Sequence, residues 1–506
     1  MNIELDSIIK NLEVTDIRGS TKINIEGIAY NSNSVRNNYL FVAVEGFKVD
    51  GHRFINDAIS KGAKTIVISK DINVAEGITI IKVKDTRAAL SALAASFYGY
   101  PSQDLELIGI TGTNGKTTTA YFTKSILDSD KRKNSLISTV EIIINGNSHT
   151  TTHTTPESLE LQKMFKSMIQ QGVTDCVMEV SSHSIQLSRV HDCDFNIAIF
   201  TNLTHEHLDF HGNMENYYNA KKQLFHKANN FNIVNIDDPF GDRLAKEIAN
   251  NKAKLLTYGI NHHADITAKD ITINEKYSAF TINTPEEKIN VQIKIPGMYN
   301  IYNSLAAATC GYALGIDLAH IKAGLEAVSA VPGRFEVIRS DKNRTVIIDY
   351  AHTPDGFEKL LGTISKFAKG RKIIVFGCVG ERDHTKRCKM GEIAERYCDL
   401  CVLTTDNCRS EQPRDIINEI KKGFKKANSY IEILDRAEAI RHAILTSKEN
   451  DTIIITGKGH EKCQIIGSDV MYFNEREIVT KALDELPESF YIPSPDMVWN
   501  YAWPHR

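Results

Sequence analysis

Apolar runs of strand length alternate with helical patterns through most of the chain. In the first hundred residues these runs are short, and they lie at 39–44 and 64–69. A second set, with helices between its members, lies at 105–111, 175–180, 197–203 and 233–236. A third set lies at 345–348, 372–376, 400–403 and 452–455. This alternation predicts an α/β protein whose central sheet is doubly wound and parallel.

Two segments with the composition of linkers divide this pattern. They are Tyr98-Gly99-Tyr100-Pro101-Ser102 and Val331-Pro332-Gly333-Arg334. At 506 residues the chain is also too long for a single hydrophobic core. We therefore predict domains at 1–100, 101–332 and 333–486, followed by an aromatic tail at 487–506 to which the sequence assigns no role.

Composition and charge argue against several classes of protein. With 42% hydrophobic and 24% charged residues the chain has the composition of a globular protein. Sixty Lys and Arg against 63 Asp and Glu give a formal charge of −3, which offers nucleic acid no overall attraction. No apolar run has membrane-spanning length, residues 1–10 lack a secretory pattern, and nine cysteines fit a reducing compartment. We expect a cytoplasmic monomer with no nucleic-acid partner and no membrane insertion.

The most informative motif lies where the run at 105–111 breaks into glycines. The sequence there is Gly109-Ile110-Thr111-Gly112-Thr113-Asn114-Gly115-Lys116-Thr117-Thr118-Thr119. Freed backbone N–H groups, the positive end of the next helix, a lysine and a hydroxyl together neutralise phosphates and reach Mg²⁺. The motif predicts binding of ATP or GTP with magnesium. The general pattern has glycine where this chain has Ile110, so an ordinary strand-to-helix turn is the alternative.

Polar residues follow the predicted strands, at the sheet edge where ligands collect in open parallel sheets. These segments are 179–183, 201–209, 349–354, 377–383, 405–409 and 457–461. Glu179 and His207 are candidate Mg²⁺ ligands beside ATP, with a helix N-cap as the alternative. The spacing of His205 and His207 also suits zinc, but phosphate-bound magnesium fits the context better.

A lysine also falls on the apolar face of a predicted helix that begins after Asn213. Met214, Tyr218 and Phe225 form the apolar stripe, and Lys221 fills the missing place on it. Two interpretations remain open. The ammonium extends to water, or the lysine is placed to meet phosphate or is modified so that it carries negative charge.

Basic residues gather after two neighbouring strands of the last domain. They are Arg382, Lys386, Arg387 and Arg409, and Asn407 lies beside them. Guanidinium groups suit a carboxylate-bearing substrate because their planar fork binds carboxylate through two hydrogen bonds. Ordinary salt bridges are the alternative.

The chain resembles the Mur ligases, ATP-dependent amide-forming enzymes of peptidoglycan precursor synthesis. The resemblance covers the chain from Ile28 to Glu477, and the family's phosphate motif also lacks the first glycine. The matching segments are 111–118, 154–158, 178–183, 189–190, 201–203, 207–212, Asn300 with Asn303, 349–354 and 457–461. The resemblance implies a small α/β N-terminal domain, a central P-loop domain with a doubly wound parallel sheet, and a Rossmann-like C-terminal domain.

The resemblance implies a role for each matching residue. Ser32 would hold the UDP end of the substrate, and Thr154, Thr155, Ser182 and Arg189 would hold its muramoyl dipeptide. The implied ATP-binding residues are Gly112, Thr113, Asn114, Gly115, Lys116, Thr117, Thr118, Asn303, Arg334, Asp349 and His352. Lys221 matches the family's carbamylated lysine, N6-carboxylysine, and joins Thr117, Glu179 and His207 at magnesium. Lys116, Lys221, Glu179 and His207 are thereby the implied catalytic residues.

The resemblance also implies the substrates. Asp406-Asn407-Cys408-Arg409 is similar to the Asp-Asn-Pro-Arg motif of the members that add meso-diaminopimelate to the D-glutamyl γ-carboxylate of UDP-N-acetylmuramoyl-L-Ala-D-Glu, through an acyl phosphate formed from ATP. Arg409 would pair with the extra carboxylate, and Asn407 and Glu461 would receive the distal ammonium. Arg382 and Gly457 would bind the other end.

Three alternatives stay open at this point. Cys408 replaces the proline of the motif and removes a fixed φ, which leaves room for L-lysine or another amine. A nucleotide-dependent binding switch without ligase activity is the second alternative. A folylpolyglutamate-forming ligase of the same fold is the third, although the paired Thr154 and Thr155 argue against it.

Overall fold

The computed structural model describes residues 2–46, 49–74, 76–151, 153–340 and 343–486. The chain divides into two compact units, Met1–Val331 and Pro332–Arg506. The predicted tail at 487–506 lies outside the described residues. The predicted domain limits at 100 and 332 stay predictions.

The first part of unit 1 is a small α/β layer. Its five-stranded sheet has the order β2-β7-β6-β5-β4, with β4 to β7 parallel and β2 antiparallel, and β1 pairs with β3. The sequence-predicted runs at 39–44 and 64–69 are β5 and β6. In chain order the elements are β1 (Ile3–Glu4), α1 (Leu5–Ile9), β2 (Val14–Arg18), β3 (Asn24–Ile25), β4 (Gly27–Ala29), β5 (Tyr39–Val42), α2 (Ile55–Ser60), β6 (Ala63–Ile68), β7 (Thr79–Val83) and α3 (Thr86–Tyr98).

The rest of unit 1 is built on an eleven-stranded sheet. The strand order is β11-β10-β9-β12-β8-β13-β14-β15-β16-β17-β18. In chain order the elements are β8 (Glu106–Thr111), α4 (Lys116–Ser129), β9 (Asn134–Ile137), β10 (Ile142–Ile144), β11 (Asn147–His149), α5 (Ser158–Gln170), β12 (Asp175–Glu179), α6 (Ser182–Gln186), β13 (Phe195–Phe200), α7 (Leu208–His211), α8 (Met214–Lys227), β14 (Ala228–Asn235), α9 (Pro239–Ile248), β15 (Lys254–Gly259), β16 (Ile266–Ile273), β17 (Ser278–Asn283), β18 (Lys288–Ile293), α10 (Met298–Ala313) and α11 (Leu318–Ala327).

The centre of this sheet is parallel, as the sequence predicts, and its edges are not. Strands β9, β12, β8, β13, β14 and β15 run parallel, and β8 is buried on both faces. Antiparallel hairpins extend both edges, through β10 and β11 on one side and through β17 and β18 on the other. These hairpins were not predicted from the sequence, because β10 has only three residues and the outer strands β11 and β18 carry exposed polar positions.

Unit 2 has a six-stranded sheet in the order β19-β20-β24-β21-β22-β23, parallel except for β19. The predicted runs of the third set are β20, β21, β22 and β24. The elements are β19 (Glu336–Ser340), β20 (Arg344–Asp349), α12 (Pro354–Ile364), β21 (Lys372–Phe376), α13 (Thr385–Tyr397), β22 (Leu400–Leu403), α14 (Pro413–Lys421), β23 (Tyr430–Glu432), α15 (Arg436–Leu445), β24 (Thr452–Thr456), β25 (Cys463–Ile466), β26 (Asp469–Tyr472) and α16 (Glu475–Asp484).

Within the described ranges, no helix combines the length and the apolar character that crossing a membrane requires.

Candidate active site

The phosphate loop, residues 111–116, joins β8 to α4. Gly115 has φ +89°, and a Cβ there would lie 2.3 Å from Oδ1 of Asn303. Only glycine fits this position, because both the left-handed backbone and the close approach exclude a side chain. Asn202 holds the loop from the neighbouring strand end: its carbonyl accepts from Thr113 N (2.8 Å) and its Oδ1 accepts from Asn114 N (2.9 Å). The loop thus has a fixed shape beside Asn303.

Two lysine side chains converge on one carbonyl of this loop. Lys116 Nζ donates to the Gly112 oxygen at 2.9 Å, and Lys221 Nζ donates to the same oxygen at 2.8 Å. Lys116 also donates to the Thr113 oxygen at 2.9 Å, and Thr117 and Thr118 lie buried in the first turn of α4. The arrangement concentrates positive charge at the positive end of a helix, which favours an anion.

Helix α8 explains how Lys221 reaches the loop. It begins after Asn213, whose side chain accepts from Asn216 N as the sequence predicts for an N-cap. Lys221 is 2% exposed, so the interpretation that its ammonium extends to water is wrong. Burial, and then the nearby Lys116, lower the pKa of Lys221 well below its ordinary value. Among the described residues no carboxylate forms an ion pair with Lys221.

The carboxylate of Glu179 ends β12 and is 1% exposed. One of its oxygens accepts from Thr139 N at 2.8 Å and the other from Thr139 Oγ1 at 3.0 Å. It does not cap α6, because Ser181 is the N-cap of that helix. Thr139 Oγ1 also lies 3.1 Å from Thr154 Oγ1, which links Glu179 to a predicted dipeptide-binding residue.

His207 occupies the residue before α7 with φ +57° and makes no capping hydrogen bond through its side chain. Its ring lies 4.8 Å from that of His183 and 6.1 Å from that of Tyr217, between ring centroids. The part of the chain that the structure describes contains no group of three His, Cys, Asp or Glu residues suited to hold a metal alone.

Three further residues predicted to bind the substrate lie after β12 or in the segment before α5. Thr155 Oγ1 donates to the Glu179 carbonyl, and Arg189 Nη1 donates to the Thr155 carbonyl. Arg189 also pairs with Glu157 at 2.7 Å. The Ser182 hydroxyl lies 2.9 Å from Nε2 of His211, a histidine whose pKa is lowered to about 4 by burial and by Lys221.

The predicted UDP-binding residue Ser32 lies elsewhere in unit 1. It begins a short 3₁₀ helix, Ser32–Ser34, and lines a cavity of about 420 Å³. Tyr30, Arg87 and Glu157 line the same cavity. Glu157 therefore lies between this cavity and Arg189 of the dipeptide group.

In unit 2 the three residues predicted to bind nucleotide lie together. The Asp349 carboxylate ends β20 and accepts from Phe335 N and Ala351 N, both at 2.7 Å. The Arg334 guanidinium stacks 4.3 Å from the Tyr350 ring, and His352 Nδ1 lies 2.8 Å from the Tyr350 oxygen. Their assignment to a nucleotide stays a prediction.

The amino-acid loop, residues 405–409, follows β22. The hairpin β25–β26 holds it: Arg409 N donates to the Ile465 carbonyl at 3.3 Å and Gly467 N to the Arg409 carbonyl at 2.8 Å. Arg409 has φ +53°, and Cys408 beside it is buried. These backbone hydrogen bonds fix the loop at the position where the proline of the family motif is missing.

Charged groups surround the amino-acid loop on its buried side. Asn407 Nδ2 donates to Glu461 Oε2 at 3.0 Å, and Lys458 Nζ donates to the same oxygen at 2.8 Å. Arg387 is buried and paired with Glu411 and Glu419, so the salt-bridge interpretation applies to it. Arg382, by contrast, is exposed.

Sequence reasoning missed several residues that hold the predicted ones. Thr139 lies in a loop that carries no recognisable motif, and Arg436 contacts Glu475 across 39 residues of sequence, so neither gave a signal. Lys458 does lie inside a motif, Gly457-Lys458-Gly459-His460-Glu461, which could have identified it.

Comparison with known families identifies each segment of the chain. The Mur ligase family, catalytic domain, matches residues 24–98, and the Mur ligase middle domain matches residues 110–311. The Mur ligase, glutamate ligase domain, matches residues 333–459.

Individual relatives extend over nearly the whole chain. A UDP-N-acetylmuramoyl-L-alanyl-D-glutamate–2,6-diaminopimelate ligase of Alkaliphilus metalliredigens is 46% identical and covers 94% of this chain and 96% of its own length. The enzyme of that name from Clostridium perfringens is also 46% identical, over 95% and 99%. A solved structure under the same name is 29% identical, with a TM-score of 0.68 over 96% of this chain and 99% of its own. The chain belongs to the Mur ligase family.

Proposed function

We propose that this protein is an ATP-dependent ligase that joins meso-diaminopimelate to the D-glutamyl γ-carboxylate of UDP-N-acetylmuramoyl-L-Ala-D-Glu. The observation that carries the proposal is the 46% identity, over 94% of the chain, to an enzyme whose name states this ligation. The geometry of the phosphate loop and of the amino-acid loop supports it from two independent sides.

The phosphate loop is suited to a triphosphate. Lys116 and Lys221 both donate to one backbone carbonyl, and the Lys116 ammonium beside the positive end of α4 is stabilised when an anion approaches. We assign Lys116, with the backbone N–H groups at the start of α4, to the phosphates of ATP. Asn303, which lies against Gly115, is assigned to the same nucleotide.

Lys221 is suited to carbamylation. Carbon dioxide reacts with the neutral amine, forming an N–C bond and releasing one proton, and the product carries negative charge. Burial, and then the nearby Lys116, lower the pKa of Lys221 well below its ordinary value, which favours the neutral amine, and burial also excludes the water that would hydrolyse the carbamate. The modification would place a carboxylate beside Lys116.

The donor set also fits magnesium, which the family implies. Mg²⁺ takes few protein ligands and keeps phosphate oxygens and waters, so the lack of a larger protein cluster among the described residues agrees with it. Thr117, Glu179, His207 and carbamylated Lys221 would hold it. When bound, the ion neutralises charge on the phosphate oxygens and orients them.

The chemistry then proceeds in two displacements. The D-glutamyl γ-carboxylate attacks the γ-phosphorus of ATP, an acyl phosphate forms and ADP leaves. The amine attacks the acyl carbon, phosphate leaves, and one proton is lost as the amide forms. Thr154, Thr155, Ser182 and Arg189 would hold the carboxylate in line, so that positioning and charge neutralisation supply most of the rate.

The amino-acid loop supports meso-diaminopimelate as the amine. This substrate has one more carboxylate than L-lysine, and a guanidinium at Arg409 can pair with it. The hairpin bonds to Arg409 hold the loop without the family's proline. L-lysine is the second candidate substrate, because this chain has Cys408 where the Asp-Asn-Pro-Arg motif has proline.

An amino-acid panel tests the proposal. Purified protein receives Mg-ATP, UDP-muramoyl dipeptide and one amino acid, and phosphate release is measured beside the mass of the product. We expect turnover with meso-diaminopimelate. Turnover with L-lysine and none with meso-diaminopimelate would refute the assignment of substrate, and nucleotide hydrolysis that ignores every amino acid would favour a binding switch.

A further inference from the structure

Five charged side chains form a buried series behind the amino-acid loop, and their signs alternate. The series runs through Glu475, Arg436, Asp406, Lys458 and Glu461. Four of its members are almost wholly buried, and only Glu461 reaches the surface, with 28% of its side chain exposed. Opposite charges removed from water in this way attract strongly, provided that the geometry is held.

Arg436 and Glu475 form the closed end of the series. Arg436 Nε and Nη2 both donate to Glu475 Oε1, at 2.8 and 2.6 Å, and Nη2 also donates to the Thr456 carbonyl at the end of β24. Glu475 Oε2 accepts from Gly459 N at 3.2 Å. The pair therefore ties the first residues of α15 and α16 to the segment that carries Lys458.

Asp406 lies in the middle, packed against a glycine. Gly457 has φ +114°, and a Cβ there would lie 2.5 Å from Asp406 Oδ2 and 3.8 Å from Arg436 Nη2. The position must be glycine for this carboxylate to approach Arg436. Lys458 Nζ lies 3.9 Å from the other oxygen of Asp406.

Lys458 forms the link to the open end. Its ammonium is fully buried and donates to Asn407 Oδ1 at 2.9 Å and to Glu461 Oε2 at 2.8 Å. Asn407 Oδ1 also accepts from Ile465 N of the hairpin, which fixes the direction of the amide. One buried cation thus orients Asn407 and Glu461, the two side chains that the resemblance to the Mur ligases assigns to the distal ammonium of the amino acid.

We infer that Lys458 is a positioning residue for amino-acid selection: it holds Glu461, directly and through Asn407, in the orientation in which Glu461 receives the ammonium of the incoming diamino acid. Because it occupies Glu461 Oε2, it leaves Oε1 to the substrate. This inference rests on the proposed function for the site, and it adds a residue that makes no contact with the substrate itself.

Lys458→Met tests the inference, because it keeps the length of the side chain and removes the charge and the donors. The KM for meso-diaminopimelate is expected to rise about tenfold or more, while those for Mg-ATP and UDP-muramoyl dipeptide change by less than about twofold. Lys458→Gln, which keeps an N–H donor for Glu461, is expected to show a smaller rise. Arg371→Met is the matched control. Arg371 pairs with buried Asp451 just before β21 and β24 begin, whereas Lys458 follows the other end of β24.

A purely structural lysine would give a different result. Equal changes in all three KM values, or a KM for the amino acid that stays at the wild-type value, would overturn the inference. If Lys458→Met does not fold, Lys458→Gln decides by the same criterion. A wild-type enzyme that ligates L-lysine instead would refute the proposed substrate, and the Lys458 comparison would then be made with L-lysine.

Discussion

The phosphate loop of unit 1 and the amino-acid loop of unit 2 both follow a buried parallel strand, but their charges are unbalanced in opposite directions. In the first, Lys116 and Lys221 meet at one neutral carbonyl. In the buried series behind the second, the carboxylates Asp406, Glu461 and Glu475 outnumber the cations Arg436 and Lys458, and Arg409 of the loop is not part of that series. The basic groups of the phosphate loop favour an anion, whereas the acidic series favours an ammonium and Arg409 favours a carboxylate.

Removing Lys116 should produce the largest effect on the first loop. Lys116→Ala deletes the cation that we assign to the phosphates of ATP, and product formation is expected to fall about 100- to 1,000-fold. Lys124→Ala is the control, because Lys124 lies on the same helix and pairs only at the surface with Asp128. Unchanged turnover in Lys116→Ala would remove the loop from the mechanism.

Removing Lys221 distinguishes a modified lysine from a plain cation. Lys221→Ala is expected to lower kcat about 10- to 100-fold, and added formate or acetate should restore part of the rate, because these anions can replace a carbamate. Lys222→Ala, on the exposed face of the same helix, should behave as wild type. Acid should also weaken the wild-type enzyme, since protonation of the amine removes the form that reacts with carbon dioxide. Rescue by an added amine rather than by a carboxylate would contradict the carbamate.

Replacing Arg409 is the corresponding test of the amino-acid loop. Arg409→Ala removes the proposed partner of the extra carboxylate, so the KM for meso-diaminopimelate is expected to rise about 10- to 100-fold and the preference over L-lysine to shrink. Arg414→Ala, an exposed arginine that follows the loop, serves as the control. If Arg409→Ala still prefers meso-diaminopimelate over L-lysine as strongly as the wild type does, other residues make this selection.

The smallest effect concerns stability rather than turnover. Burial, followed by Lys221, lowers the pKa of His211 from its ordinary 6.5 to about 4. The unfolded chain therefore binds this proton first, and the stability that the neutral imidazole contributes is present above pH 6.5 and lost as the pH falls towards 4. His211→Gln should flatten the fall in melting temperature across this range, whereas His320→Gln, at an exposed histidine, should not. An unchanged slope in His211→Gln would argue against a buried neutral imidazole.

The sequence predicts the first loop better than the second, and the reason is physical. The phosphate loop is local, so glycines, Lys116 and Thr117 stand together, and Lys221 is visible through the period of α8. The sequence left open the environment of Lys221, because that environment depends on how α8 packs against the rest of the unit. The second loop depends on contacts between distant segments, such as Arg436 with Glu475, and no local pattern records them.

The same distinction applies to the sheets. Continuous apolar runs identified the parallel strands because both faces of those strands are buried. The hairpins β10–β11 and β17–β18 lie at the sheet edges and were not predicted. Strand β10 is only three residues long, and exposed positions interrupt the outer strands β11 and β18. Thr139 holds Glu179 from an irregular loop beside that edge, which no periodicity could reveal.

The most direct measurement follows one oxygen atom. UDP-muramoyl dipeptide labelled with ¹⁸O in the D-glutamyl γ-carboxylate is turned over with Mg-ATP and meso-diaminopimelate, and the released phosphate is analysed by mass spectrometry. Attack by that carboxylate on ATP predicts one ¹⁸O atom in each phosphate and an amide that has lost one label. Unlabelled phosphate released together with amide product would contradict the acyl phosphate and, with it, the central claim.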